Sequence, residues 1–264
     1  MEIREITPAD DGPALQPKRW SERMSGNEIV LKRMPRAVLL DFYGTLVEED
    51  GAVIADICRQ VAAASREQVA AKAVATLWGR LFSRLCVESF GQAFQTQRQL
   101  ALQSLRQTLQ ECGAASLSAE ELCQPQFEYW RRPKIQPDAK SVLGDCPVPV
   151  CLVSNIDSDD LQAAIEHVGL RFDMVVTSEE CRSYKPRPET FRKALATLGL
   201  PPEDTLHVGD SLSADVAGAR AAGIPVLWIN PKGRKSPPEL TPEYVSADLT
   251  GVLRLFGGKQ GARL

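Results

Sequence analysis

At 264 residues, 44% hydrophobic and 25% charged, the chain is long enough for one α/β domain with a substantial insertion, or for two modest domains. Its net charge of -3 excludes a general attraction to nucleic acid or to an anionic membrane surface, and no apolar run is long enough to span a bilayer. The N-terminus has neither the basic-then-apolar layout of a secretory signal nor the acid-poor composition of a transit peptide, so a cytoplasmic protein is expected.

Residues 1–34 place Pro8, Pro13 and Pro17 among charges without lasting apolar periodicity, and read as a flexible extension. A natural start at Met34 is one reading of this segment. Ala37-Val38-Leu39-Leu40 is a short, continuously apolar run, the pattern of a parallel strand covered on both faces. Between this strand, ending at Asp41, and the next, ending at Ser154, lie more than a hundred residues with no convincing strand. Val74, Leu77, Trp78, Leu81 and Leu85 form one helical stripe, and Leu102, Leu105 and Leu109 a second. Ser118 and Glu121 have capping-box spacing before a further helix. A helical insertion is therefore expected over about residues 50–140.

Strand-like runs return at Val148–Val153, Met174–Val176, Thr205–Val208 and Val226–Ile229, with helical spacing over 158–168, 189–198 and 213–222. Gly169, Gly199 and Gly223 stand where helix ends favour a left-handed residue. This alternation predicts an α/β fold, a doubly wound parallel sheet of Rossmann-like design with an inserted helical domain. The expected division is a flexible 1–34, a core of 35–49 and 141–256, an insertion of 50–140, and a tail of 257–264. Seven cysteines, scattered and without a Cys-x-x-Cys pair, read as small buried side chains in a reducing compartment.

In open α/β sheets ligands bind beyond the carboxyl ends of the strands. This chain places Asp41, Ser154-Asn155, Lys185 and Asp210 there or in adjacent loops. Gly44 permits a tight turn after Asp41, and Thr45 can tie that turn with its hydroxyl, holding a carboxylate as rigidly as a nucleophile requires. Ser154 and Asn155 lead into a helix and offer a hydroxyl and backbone N–H groups to an anion. Pro186 and Pro188 restrict the backbone that aims Lys185. Two carboxylates on neighbouring strand ends repel, and Mg²⁺ is the economical relief, with Lys185 sharing the neutralisation.

These segments resemble the four signature motifs of the haloacid dehalogenase superfamily: Asp41-Phe-Tyr-Gly-Thr45, Ser154-Asn155, Lys185-Pro186 and Gly209-Asp-Ser-Leu-Ser-Ala-Asp215. The resemblance covers roughly residues 36–256 and includes an insertion where subclass I members carry a helical cap. It implies a hydrolase in which Asp41 forms a covalent intermediate and Lys185 is its charge partner. It implies Mg²⁺ held by Asp41, the Tyr43 backbone carbonyl and Asp210, with Asp215 orienting Lys185 or ligating through water. Ser154 and Asn155, with Tyr43 and Thr45 of the first motif, are the implied substrate-binding residues for a small phosphorylated or otherwise anionic metabolite.

One position departs from the phosphatase pattern. Those members usually carry an aspartate two residues after the nucleophile as acid and base, and this chain has Tyr43. A phenol of pKa about 10 is the wrong species for a general base at neutral pH, and loss of such help commonly lowers rates by about 10²–10⁴. Members that remove halide from 2-haloacids resemble the chain at Asp41-Phe-Tyr-Gly-Thr45, but they need no metal and lack the aspartate kept here as Asp210. The expectation is therefore an Mg²⁺-dependent phosphatase, with two alternatives: a metal-independent dehalogenase and a phospholigand-binding protein without turnover.

Other residues read as structural. His207 is expected to be a hydrogen-bonded core histidine, His167 to interact with a helix dipole, and Trp228 to pack. Arg80, Arg84, Arg98 and Arg106 read as solvated surface. Arg131-Arg132 and Lys232–Lys235 are too slight for a nucleic-acid footprint.

Overall fold

The computed structural model describes residues 33–257. The extension expected over 1–34 and the tail over 257–264 lie outside them, apart from residues 33, 34 and 257. The chain runs from β1 (Ala37–Leu40) into five helices: α1 (Gly51–Ala64), α2 (Ala71–Glu88), α3 (Gln97–Glu111), α4 (Ala119–Arg131) and α5 (Ala139–Asp145). It continues through β2 (Val150–Ser154), α6 (Ser158–Val168), β3 (Met174–Thr177), α7 (Ser178–Cys181), α8 (Glu189–Leu198) and β4 (Thr205–Gly209). After these come α9 (Ala217–Ala221), β5 (Val226–Ile229), β6 (Tyr244–Ser246) and α10 (Thr250–Phe256). Among the described residues the strands form one parallel six-stranded sheet in the order β3-β2-β1-β4-β5-β6.

The unbroken apolar runs follow from coverage of both sheet faces. Val38 and Leu40 of β1 enter one hydrophobic cluster and Leu39 the other, and the same alternation places Leu227 and Ile229 of β5 opposite Val226 and Trp228. The first cluster continues through Phe42, Leu46 and Val47 into Ile57, Val74, Leu105 and Phe127, so the inserted helices share apolar packing with the sheet. The α2 stripe is buried at Val74, Trp78, Leu81 and Leu85, while Leu77 is half-buried. Leu102 is likewise only half-buried, and α3 packs instead through Leu100, Ala101, Ser104, Leu105, Thr108 and Leu109.

Helices α6 and α8 have the expected bounds and end at left-handed Gly169 and Gly199. Three local details differ from expectation. β2 begins at Val150, because Pro149 has no N–H to give the ladder. β6, a three-residue edge strand with half-exposed Val245, has too little apolar periodicity to be read. The helix expected over 213–222 opens with a π-helical turn at Leu212–Val216 before α9, with Val216 N–H donating to the Ser211 carbonyl at 3.1 Å. Such widened turns occur at functional sites, and this one carries Asp215. All seven cysteines are unpaired, and no helix among the described residues is long and apolar enough to cross a membrane.

Candidate active site

β1 lies between β2 and β4, so the carboxyl ends of these three strands bring Asp41, Ser154 and Asp210 to one edge. Asp41 remains tied to the sheet, its N–H donating to the Val208 carbonyl at 2.9 Å. The next loop winds around the Phe42 carbonyl, which accepts from Leu46 N–H at 2.8 Å and Val47 N–H at 3.1 Å, while the Phe42 ring is fully buried. Gly44 turns there with φ +87°, and a Cβ at that position would stand 2.4 Å from Asp210 Oδ1. Only glycine lets the two acidic loops approach so closely. Gly209 works similarly, since its Cβ would meet Asp215 Cγ at 2.3 Å. Thr45 Oγ1 donates to Asp41 Oδ2 at 3.3 Å, the expected tie across the turn.

Lys185 is buried, and its ammonium has a full set of three acceptors: Asp41 Oδ1 at 2.7 Å, Asp215 Oδ1 at 2.7 Å and the Val153 carbonyl at 2.8 Å. Burial alone would lower its pKa, but Asp215 and Asp41 outweigh that and hold it above the ordinary value. The prolines after Lys185 are not its only restraint. Asn155 clamps the Lys185 backbone, accepting its N–H at Oδ1 (2.7 Å) and donating Nδ2 to its carbonyl (3.0 Å). Asn155, read from sequence as a ligand-binding group, thus spends its amide on positioning the lysine.

Asp215 is fully engaged. Besides Lys185 it meets His207 Nε2 at 3.0 Å, and its Oδ2 accepts from Ser211 N–H at 3.0 Å. Burial favours its neutral form, yet Lys185 and His207 hold the carboxyl well below the usual range. His207 is the buried, bonded core histidine expected, with burial lowering its pKa. Its partner, however, belongs to the acidic site.

The three carboxylates of Asp41, Asp210 and Asp215 offer oxygens within 4.8 Å of one another. Lys185 supplies one positive charge against them. Burial, followed by the charges of Asp41, Asp215 and Glu49, raises Asp210 to about 8. Asp41 is raised to about 6, chiefly by burial, with Lys185 opposing and Asp215 adding to the rise. A hard divalent cation suits this donor set: oxygen ligands with excess negative charge. Trp228 and Arg234, read from sequence as packing and as part of a slight basic cluster, both donate to the Asp210 carbonyl at 2.8 Å and fix that backbone.

Tyr43 donates its hydroxyl to the Trp130 carbonyl of α4, and its pKa is pushed far up by burial and then by Asp160, Asp50 and Asp41. It stays protonated and bridges the strand-end loop to the inserted helices. The helix N-terminus after Ser154 is also less open to an anion than expected, because Ser158 N–H donates to Glu179 Oε2 at 2.7 Å. Ser154 itself is buried at the end of β2.

Arg98 corrects the surface reading. It grips buried Asp160 of α6 through two 2.6 Å bonds and lies 4.6 Å above the Phe127 ring, while Arg131 reaches the same carboxylate at 3.2 Å. One turn earlier, Asp157 accepts the N–H groups of Gln97 (2.6 Å) and Arg98 (3.1 Å) at the start of α3. Arg106 pairs with Glu120, and Arg80 and Arg84 are exposed. Arg98→Ala should destabilise the fold by about 1.5–3 kcal/mol, the range for hydrogen bonds to charged groups. Urea unfolding checks this, and an unchanged midpoint would show that Arg131 alone holds Asp160.

Between the insertion and the Asp41 loop lies a cavity of about 220 Å³, bordered by Tyr43 and Asn155 below and by α1, α2, α3 and α4 above. The site thus combines a rigid carboxylate, a buried ammonium, a hard-cation donor set and an adjoining cavity. Those parts suit nucleophilic displacement at an anionic centre.

A family model described as haloacid dehalogenase-like hydrolase matches residues 35–223. A phosphoserine phosphatase of Thermus thermophilus is 34% identical over 152 residues, which is 56% of this chain and 61% of that protein. Human N-acylneuraminate-9-phosphatase is 32% identical over 131 residues, covering 46% of this chain and 52% of its own. The chain therefore spans between half and two thirds of these relatives. Among solved structures, the L-2-haloacid dehalogenase of Xanthobacter autotrophicus with chloropropionic acid covalently bound superposes with a TM-score of 0.67 at 20% identity, over 85% of this chain and 99% of that one. A HAD hydrolase of Bacillus subtilis bound to magnesium gives 0.65 at 21% identity, over 84% and 99%.

Proposed function

The chain belongs to the haloacid dehalogenase-like hydrolases, and we propose that it is an Mg²⁺-dependent phosphatase of small phosphomonoesters that works through Asp41. The observation that carries this reading is Asp210, a carboxyl with an oxygen within 4.8 Å of those of Asp41 and Asp215. Such a group has no use in a site for an anionic substrate unless a cation neutralises it. Asp41, Asp210 and the Tyr43 backbone carbonyl are the groups proposed to hold Mg²⁺, while Asp215, its oxygens already bonded, orients Lys185. When bound, the cation supplies charge neutralisation for the nucleophile and the phosphoryl oxygens.

In the proposed reaction an Asp41 carboxylate oxygen attacks phosphorus, the ester P–O bond breaks, and the leaving alkoxide takes a proton. Water then attacks the aspartyl phosphate, releasing phosphate and restoring the Asp41 carboxylate. Lys185 holds Asp41 in line and neutralises charge as the intermediate forms, with Ser154 and Thr45 beside the transferring group. Tyr43 does not serve as base, because its proton goes to the Trp130 carbonyl. The carboxyls of Glu49 and Asp50, which line the adjoining cavity, are the nearby candidates to carry the proton. We also propose that residues 50–140 act as a cap over the core formed by 35–49 and 141–256.

Tyr43 favours a second reading, halide displacement from a 2-haloacid, which needs no leaving-group proton. The cavity opposes it, since its lining residues include Glu49 and Asp50 but no lysine or arginine to receive the acid's carboxylate.

Phosphate release from an aryl phosphate, with Mg²⁺ and with chelator, tests the proposal. Sustained release only with metal supports it, and metal-independent halide release without phosphate release replaces it with the second reading. Mg²⁺ alone should raise the unfolding free energy, by about 2.7 kcal/mol at a hundredfold excess over Kd. Binding must displace the Asp210 proton, so affinity should rise between pH 6 and 8. Thermal shift titrations of wild type and Asp210→Asn read both effects, and identical curves would remove Asp210 as a ligand.

A further inference from the structure

The cavity over Asn155 has a built polar wall. Asp50 Oδ2 accepts from Gln126 Nε2 at 2.8 Å and from Trp130 Nε1 at 2.9 Å. This fixes the amide of Gln126, since turning it over would set its oxygen against the carboxylate. Gln126 is only 5% exposed, and its Oε1 has no hydrogen-bond partner among the described residues. A buried acceptor without a donor is rare and unfavourable, and the bond to Asp50 is what holds the Gln126 amide in this orientation.

Two features of the cavity define the ligand it admits. The lining residues include the carboxylates of Glu49 and Asp50 and no lysine or arginine, so a second anion would enter against uncompensated charge. Trp78, Phe82 and Trp130 add aromatic surface to the wall. Trp78 already donates its Nε1 to Ser104 Oγ at 2.9 Å. At about 220 Å³ the space lies below the ~300–1,000 Å³ typical of ligand pockets, which suits a compact alcohol.

We propose that this cavity receives the alcohol part of the phosphomonoester, and that this part presents hydrogen-bond donors, hydroxyl or ammonium, and carries no second anionic group. The inference rests on the phosphatase reading above and narrows its substrate class. The donors face the carboxylates of Glu49 and Asp50, while the carbon skeleton lies against the tryptophans. A phosphorylated carboxylic acid of equal size fails on charge alone.

The test compares kcat/KM, with Mg²⁺ present, for glycerol 3-phosphate, O-phosphoethanolamine and phosphoglycolate, with an aryl phosphate as reference. At least one of the first two should exceed phosphoglycolate by about tenfold or more, and whichever is better identifies hydroxyl or ammonium as the donor. Asp50→Asn should shrink that ratio toward one, because it removes a negative charge from the wall. Because a ratio between substrates does not depend on the folded fraction, a partly unstable variant still reports. If phosphoglycolate equals or exceeds the other two while the aryl phosphate turns over, the inference is overturned and the phosphatase reading stands. Release from none of the four, the aryl phosphate included, overturns both.

Discussion

Asp41→Asn should lower phosphate release by at least about 10⁴-fold, as expected for loss of a nucleophile, with no loss of stability at neutral pH. The two halves of this expectation share one cause. Asp41 is buried beside two other carboxylates, and its pKa is raised from 3.8 to about 6, chiefly by burial. A raised carboxyl pKa means that the stability this group contributes is fully present below pH 3.8 and lost as pH rises through about 6. At pH 7 the charge is therefore a burden on the fold. The asparagine variant should melt at the same temperature as wild type or higher at pH 7, and the difference should close by pH 4. With Mg²⁺ present, turnover should also fall at acid pH, because the attacking carboxylate becomes protonated. Thermal melts across this range, with single-turnover release beside them, check both. An asparagine variant that melts well below wild type at pH 7 would show that Asp41 is foremost a structural partner of Lys185.

Lys185→Met should destabilise the protein by about 3–5 kcal/mol, because it leaves two buried carboxylates facing each other without their shared cation. For a domain of this size that is a fall of roughly 6–20 °C in Tm. The ammonium bonds Asp41, Asp215 and the Val153 carbonyl at once, so one substitution opens three contacts. Asp215 is the more exposed to the change, since Lys185 is the largest of the influences that hold its carboxyl ionised. Adding Asp215→Asn to Lys185→Met should recover part of the loss, a coupling that a double-mutant cycle measures directly. Should the single variant unfold within 1 kcal/mol of wild type, His207 and solvent would be sufficient to hold the two acids. Activity should not return in the double variant, because the Asp41 nucleophile still lacks its charge partner.

The same residues show how much of this molecule is written locally. The run Ala37–Leu40 and the helices over 158–168 and 189–198 follow from period and end signals alone, because strand alternation and helix caps are properties of neighbouring residues. The identities of Asp41, Lys185 and Asp210 were equally legible, since parallel topology brings every strand's carboxyl end to one edge and a polar residue there has few other reasons to exist. Chain order therefore determined the α/β architecture, the helical insertion and the acidic centre.

Only the tertiary structure decided what those groups touch. Asn155 lies 30 residues from the lysine backbone it clamps, Arg98 lies 62 from Asp160, and Gln126 lies 76 from Asp50. Meetings across such distances leave no period in the chain, because they depend on how helices cross rather than on how residues recur. That is why Arg98 reads as solvent-exposed from its neighbours while it grips a buried acid, and why Trp228 reads as packing while its indole N–H holds the Asp210 backbone. The acidic, tryptophan-lined cavity has the same origin. Its wall is drawn from α1, α2, α3 and α4 together with the loop before α1 that carries Glu49 and Asp50.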